Sequence, residues 1–450
     1  MLAIGWGHAD ITPPRPAMLQ GQKHTRIARE AMDPLTLTAV AMHDSAEEQQ
    51  AVFVSIDMAY PSEGMYRLIR ERIAAQLPDL DPQCIILTAT HTHTSLVVED
   101  GFYDPPSDAT VMTPAECEAF VVERVTEAIV SAWKGRRPHA LARAFGHAVV
   151  GHNRHAVYAD GHAQMYGRAA TEDFVHFGGY EDHSLDMVFA WNESGGLAGL
   201  MLAVPCPSQV DEGLTVFSAD YWHEVRIELR RRLGASLHVV GMCAPAGDQS
   251  PHFLIYGPQE QQMRERRGVT ERQEIAQRIA DAVQRALACT RPDAAMSSLH
   301  HRVDNVRLTP RQISRTERDW AQQAHEKSVA DGDATGWWPT RLGDVVRQFD
   351  GVKVADPYEA EVHTLRLGDM AISTNPFELF MDYSMRIKAR SAAAQTMLVQ
   401  LTGRGFYLPS RRAVEGGGYG AMPAVSQVGP EGGDELVSHT VRAIGGLFER

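Results

Sequence analysis

The chain has 450 residues, with 57 acidic against 43 basic side chains, a net charge of −14, and 44 % hydrophobic and 22 % charged residues. This balance excludes a disordered, collagen-like or coiled-coil chain. It also argues against nucleic acid, whose phosphates need a basic stripe, and against an anionic membrane surface.

A prior of about 150 residues per domain allows about three domains. The N-terminus Met1-Leu2-Ala3-Ile4-Gly5-Trp6-Gly7-His8-Ala9-Asp10 has no basic leader with an apolar stretch behind it. Nowhere do about 18 apolar residues run together. The expectation is a cytoplasmic chain without stable membrane insertion. The cysteines Cys84, Cys117, Cys206, Cys243 and Cys289 are odd in number and widely spaced, which fits a reducing compartment better than a disulfide framework.

Strand-like and helix-like segments alternate. Val52–Asp57 predicts a buried strand, and Ser62–Leu77, with Met65, Leu68, Ile69 and Ile73 at helical spacing, predicts a helix stopped by Pro78. Cys84–Thr90 predicts a second buried strand, followed by a polar loop rich in Asp, Pro and Ser. Thr113-Pro114-Ala115-Glu116 supplies an N-cap, a first-turn proline and a capping acid for a helix reaching about Trp133. Strands are expected at 140–150, 185–192 and 197–204, a helix at 219–233, a strand at 237–242 and a helix at 269–289. Arg230-Arg231-Arg232 reads as a solvated helix face. Residues 325–351, with Asp, Gly and the adjacent Trp337 and Trp338, read as a long loop. Strands return near 361–374 and 397–402, and a helix closes the chain at 433–448. With no internal repeat, the pattern predicts an α/β (mixed α+β) fold of mixed sheets flanked by helices.

Several segments carry residues suited to chemistry. In Thr88-Ala89-Thr90-His91-Thr92-His93-Thr94, alternation along a strand puts His91 and His93 on one face, at a strand end where α/β folds build sites. Such a pair holds a divalent metal or places a ligand beside an acid/base; the plain alternative is two surface histidines. Ser250, in Gly247-Asp248-Gln249-Ser250-Pro251-His252, is a candidate nucleophile or orienting hydroxyl, or part of an Asx turn. Glu378, in Asn375-Pro376-Phe377-Glu378, is either a metal ligand or an acid complementing a helix dipole. Tyr407 and Tyr419 lie twelve apart, the second after Gly416-Gly417-Gly418. They suit a loop that delivers a phenol, or simple packing. Arg154 suits an oxyanion or a surface ion pair. Cys206, between Pro205 and Pro207 at a strand end, is a buried inert thiol or a zinc ligand.

In its order of motifs the chain resembles the catalytic domain of the neutral/alkaline (non-lysosomal) ceramidase family. The resemblance runs through Gly7-His8-Ala9-Asp10-Ile11-Thr12-Pro13, Ala89-Thr90-His91-Thr92-His93, Asn153-Arg154, Gly247-Asp248-Gln249-Ser250-Pro251, Phe377-Glu378, Tyr407 and Tyr419. It implies zinc bound by His91, Glu378 and Tyr407, His93 in acid/base or substrate contact, and Arg154 and Tyr419 polarising the scissile carbonyl. Ser250 matches the family's essential serine. The family's further histidine ligand appears as Cys206 here. A thiolate replaces it, or the protein supplies three ligands, or His223 substitutes. Asp10 and Asp57 are candidate supporting acids. Thr94–Glu99 departs from the family's glycine-rich segment, and the chain ends without the β-sandwich domain of secreted members. The expectation is one catalytic domain over 1–450, with a metal site at strand ends. It would be a zinc-dependent hydrolase of a linear amide bond in a small N-acyl compound, with oligomeric state open. The alternatives are an esterase or lactonase, an enzyme acting on a sugar-like substrate, or a non-catalytic binding protein.

Overall fold

The computed structural model describes residues 2–104, 107–332, 336–352 and 357–449. Eight strands make the larger sheet, in the spatial order His238–Cys243, Leu197–Val204, Ser184–Asn192, Arg137–His147, Leu2–Asp10, Thr36–Asp44, Gln49–Ile56 and Ile85–Ala89. The pair at each edge is parallel and the pairs between are antiparallel. A second sheet orders Leu299–Leu308, Tyr358–Leu367, Met370–Thr374 and Gln395–Val399, the last pair parallel.

Strand alternation explains the layering. Leu2, Ile4, Val40, Met42, Phe53, Ile86, Val188, Met201 and Val240 point from the large sheet onto Leu299, Leu365, Leu367, Met370, Ile372, Met397 and Val399 of the second. The opposite parity meets helices. Leu37, Ala39, Val52, Val54 and Leu87 pack on Glu63–Gln76 and Pro114–Lys134, and Leu185, Met187, Phe189, Leu200 and Leu202 on Tyr221–Leu233 and Glu271–Ala288. The outer face of the second sheet, with Ala360, Val362, Ala371 and Leu398, packs on Met381–Arg390 and Pro430–Phe448. The result is four layers: helices, sheet, sheet, helices. Gly5 and Gly7 allow the closest helix approach, since a Cβ at either would lie 1.9 and 2.0 Å from the carbonyl oxygens of Ala132 and Ala128.

The mixed α/β class expected from the pattern is observed, with some elements corrected. The loop expected over 325–351 (of which 333–335 lie outside the described residues) is helical on both sides, as Arg315–Ala330 and Trp337–Phe349. The Ser314/Glu317 capping box starts the first helix, and Trp338, Leu342 and Val345 meet Ala321 and Ala424 at helical spacing. Asp and Gly punctuate only the junction between them. The strand expected over 361–374 is a hairpin that turns at Gly368, φ +60°. Strands Leu2–Asp10, Thr36–Asp44 and Leu299–Leu308 complete the sheets. Among the described residues no helix is long and apolar enough to cross a membrane.

The three parallel pairs of the two sheets bring their C-terminal ends to one place. Ala89 N donates to Leu401 O (3.3 Å), Thr88 Oγ1 to Gln400 O (3.3 Å) and Gln400 N to Cys243 O (3.0 Å), which ties the two sheets together there. The chain segments leaving these ends build the site.

Candidate active site

His91 lies two residues past the strand Ile85–Ala89, in the left-handed region at φ +64°. The strand alternation expected for His91 and His93 is therefore replaced by a turn, which still brings the rings edge to face at 4.9 Å. Asp57 holds the preceding backbone in place. It is fully buried, accepts from Thr90 Oγ1 (3.1 Å), and pairs with Arg226 through two hydrogen bonds of 2.7 and 2.9 Å. Its role is support rather than chemistry, while Asp10 caps a turn by accepting from Thr12 N (2.7 Å).

His91 Nδ1 sits 2.6 Å from the Ala59 carbonyl, an acceptor, which assigns the ring proton to Nδ1. Nε2 then presents a lone pair. It is buried, has no hydrogen-bond partner, and lies 3.3 Å from Glu378 Oε2. Two Lewis-basic atoms facing each other in a buried site form an arrangement relieved by a proton or a metal cation between them.

Glu378–Leu379 and Tyr407–Leu408 form a short parallel pair that sets Glu378 beside Tyr407. Glu378 is thus strand-held and not a helix-dipole acid; the next helix starts at Met381. Arg154, following the two-residue strand His152–Asn153, is buried and donates from Nη2 to Tyr407 Oη (3.1 Å) and to the Gly247 carbonyl (2.9 Å). Burial opposes ionisation of Glu378, but positive charge placed at His91, the Tyr407 hydroxyl and Arg154 outweigh it and hold its carboxyl below the usual range. Burial, then Glu378, pushes the phenols of Tyr407 and Tyr419 up. Burial also opposes the charge of Arg154, yet Tyr407, Tyr166 and Glu378 keep the guanidinium firmly protonated. Tyr419 stands 5.6 Å from Tyr407, ring to ring. His155, lowered to about 4 by burial and by Arg154, donates from Nε2 to the Tyr419 carbonyl (2.9 Å) and fixes that glycine-rich loop.

The structure therefore gathers His91, His93, Arg154, Glu378, Tyr407 and Tyr419, all lining one cavity of about 1420 Å³. Cys206 is not with them. Its side chain is fully buried in the core beneath the helices, its Sγ donates to the Pro207 carbonyl (3.4 Å), and burial pushes the thiol well up. His223 does not line the cavity, and Ser250 is fully buried behind Tyr166.

The loop around Cys206 contributes differently. Gln209 and Glu212 flank His93, at 2.8 Å from Nε2 and 3.0 Å from Nδ1. Burial lowers the pKa of His93, while Glu212 works against that shift. Arg26 ties this corner together by donating to the carbonyls of Gln20, His93, Glu212 and Leu214. Sequence reasoning missed these partners and Tyr166. A search of polar residues on the loops leaving strand ends would have raised Gln209 and Glu212.

One wall of the cavity is aromatic. Phe102, Trp337 and Phe406 stack in series at 5.7 and 6.4 Å, with Arg404 against Phe102 (4.4 Å) and Phe406 (5.0 Å). Lys23 Nζ lies 4.4 Å over both Trp338 and Tyr419. His91, Tyr166, Leu401 and Phe406, four of the six non-glycine residues with left-handed φ among the described residues, line this cavity, so backbone strain is concentrated at the site.

Among the described residues no three His, Cys, Asp or Glu side chains form a metal-holding group. A cation at this floor would rest on the free Nε2 of His91, the Glu378 carboxylate and the Tyr407 phenol. An imidazole, a carboxylate and a phenol suit zinc with a position left open, and the orphaned Nε2 fits that use.

No protein-family model and no curated protein matches the sequence. Among solved structures, the chain is similar to the neutral ceramidase from Pseudomonas aeruginosa, with a TM-score of 0.74 and 15 % identity, over 100 % of this chain and 75 % of that one. A ceramidase complexed with C2 gives 0.70, with 15 % identity and the same coverage. These likenesses establish a shared fold.

Proposed function

We propose that this protein hydrolyses the amide bond of a small N-acyl compound. One observation carries the reading. At the floor of a large cavity, in a fold shared with ceramidases, an unpartnered His91 nitrogen and Glu378 meet Tyr407, Arg154 and Tyr419.

His91, Glu378 and Tyr407 are the residues that would hold zinc; when bound, zinc supplies Lewis acidity and activates water near neutral pH. The remaining groups act on substrate. The Arg154 guanidinium and the Tyr419 phenol donate to the carbonyl oxygen as negative charge builds there, a role worth about 3 kcal/mol per well-placed donor. His93, oriented by Glu212 at Nδ1, returns a proton from Nε2 to the leaving amine after Gln209 yields that nitrogen. The aromatic wall lowers the local dielectric and strengthens each of these interactions.

The test is amine release by the purified chain from a panel of N-acyl amines, beside matched esters, with zinc measured by elemental analysis. Amine release that follows zinc content, and loss of both in His91→Ala, is the expected result. Turnover of esters alone, or full zinc retention in His91→Ala, overturns the reading.

A further inference from the structure

We propose that Tyr166 is a catalytic phenol of this site and that Ser250 acts through it, as its positioning residue and not as a nucleophile. The inference rests on the hydrolase reading above for the identity of the reacting carbonyl.

Ser250 is fully buried and does not line the cavity, whereas Tyr166 does. The two hydroxyls meet at 3.1 Å, so Tyr166 stands between Ser250 and the substrate space. Ser250 Oγ also accepts from His252 N (3.1 Å), which fixes its position from behind. An attack by Ser250 on a carbonyl would require the tyrosine to leave.

Tyr166 is itself held with care. Its backbone is in the left-handed region at φ +56°, an uncommon conformation for an aromatic residue, and its N–H donates to the Arg154 carbonyl (2.8 Å). Its ring lines the same cavity as Arg154, whose guanidinium donates to Tyr407. This places the phenol in the same group of donors that faces the carbonyl oxygen.

The hydroxyl pair can run in either direction. In the free protein the Tyr166 O–H donates to Ser250 Oγ. With substrate in place, Ser250 turns its own O–H onto the Tyr166 oxygen, and Tyr166 turns its O–H to the developing oxyanion. Only hydrogen bonds exchange; no covalent bond forms on either residue. Ser250 supplies the compensating donor that makes the turn affordable in a buried site.

The experiment is a double-substitution cycle with two readouts. Tyr166→Phe keeps the ring and is expected to lower kcat by about 100-fold with KM within about twofold, the loss seen for one oxyanion donor. Ser250→Ala is expected to lower kcat by about 10-fold, Ser250→Thr to restore most of it, and the double variant to match Tyr166→Phe alone, because the two act as a unit. Binding of an alkylphosphonate, a tetrahedral oxyanion mimic, is read in parallel by calorimetry, and should weaken by at least about 30-fold in Tyr166→Phe. That readout holds whichever bond the wild-type protein cleaves, so absence of amine release sinks the amidase reading alone. The proposal falls if Ser250→Ala abolishes turnover that Tyr166→Phe retains. It falls equally if the two losses multiply, or if the phosphonate affinity is the same in wild type and Tyr166→Phe.

Discussion

Two histidine pairs in this molecule look alike and behave differently. His91 and His93 lie 4.9 Å apart and His301 and His363 5.1 Å apart, each pair joined to glutamate. In the second pair every ring nitrogen is matched. His301 Nδ1 meets the Gln50 carbonyl (2.8 Å), His301 Nε2 meets His363 Nδ1 (2.9 Å), and His363 Nε2 meets Glu361 (3.0 Å), which Arg70 holds in turn (2.6 Å). That chain fastens one sheet to the other. In the first pair one nitrogen is left over, and the group opens onto a cavity. A satisfied buried network is a structural device; the unsatisfied one here, kept in place by Asp57, Arg26 and a left-handed backbone, is the part that the proposed function uses.

The sharpest way to break this contrast is to remove one ring from each pair. His91→Ala is expected to lower turnover by about 1000-fold or more, about 4 kcal/mol of transition-state stabilisation, with the melting temperature within about 2 °C of wild type. His363→Ala is expected to do the reverse. It strands His301 Nε2 and part of Glu361, costing about 3 kcal/mol by urea denaturation, with kcat within about twofold. Stability loss in the first variant with turnover intact, or turnover loss in the second with stability intact, would exchange the two roles.

Much of the first pair's surroundings was legible from sequence because its signals are local. A polar residue directly past an apolar run marks a strand end, and that rule singles out His91, Arg154 and Glu378, whereas Tyr407 enters through its twelve-residue spacing from Tyr419 and, as a ligand, through the family resemblance. What stayed hidden depends on approach from far along the chain. Tyr166 reaches Ser250 across 84 residues, and Glu212 reaches His93 across 119. Neither spacing leaves a pattern. The same holds for the fold. Helices such as Pro114–Lys134 announce themselves by period and cap, whereas Val40 and Ala39 are equally buried on opposite faces, and nothing in the strand says which face meets the second sheet. Cys206 misled because two prolines and a strand end are the setting of a ligand as much as of a core thiol.

The satisfied pair also sets a pH limit on stability. Burial, then the neighbouring His363, brings His301 down to about 3 from its ordinary 6.5. The fold thus holds the neutral ring and the unfolded chain takes the proton more readily. Its stabilising contribution is complete above about pH 6.5 and is lost as pH falls toward 3, by up to about 1.4 kcal/mol per pH unit. Between pH 6.5 and 4.5, before most carboxylates titrate, wild type should lose about 2 kcal/mol more than His301→Gln. Parallel urea midpoints over that range would show that the ring is already charged in the folded state, and that the second pair is less closed than its distances indicate.

The smallest expected effect concerns the thiol that lies between the two descriptions. Cys206 sits a few residues before Gln209 in sequence, yet its sulfur belongs to the apolar core under the helices and its burial keeps it protonated. A protonated, carbonyl-bonded thiol is a poor metal ligand, since the thiolate is the form that binds. Cys206→Ala should therefore cost only about 1 kcal/mol, the price of a small unfilled space. Zinc content and kcat should stay at wild-type levels, where His91→Ala loses both. Elemental analysis of the two variants side by side decides it. If Cys206→Ala loses zinc as completely as His91→Ala, the sulfur turns toward the floor of the cavity when metal binds. The site then has four protein ligands, and His91 Nε2 is only one of two atoms waiting for the ion.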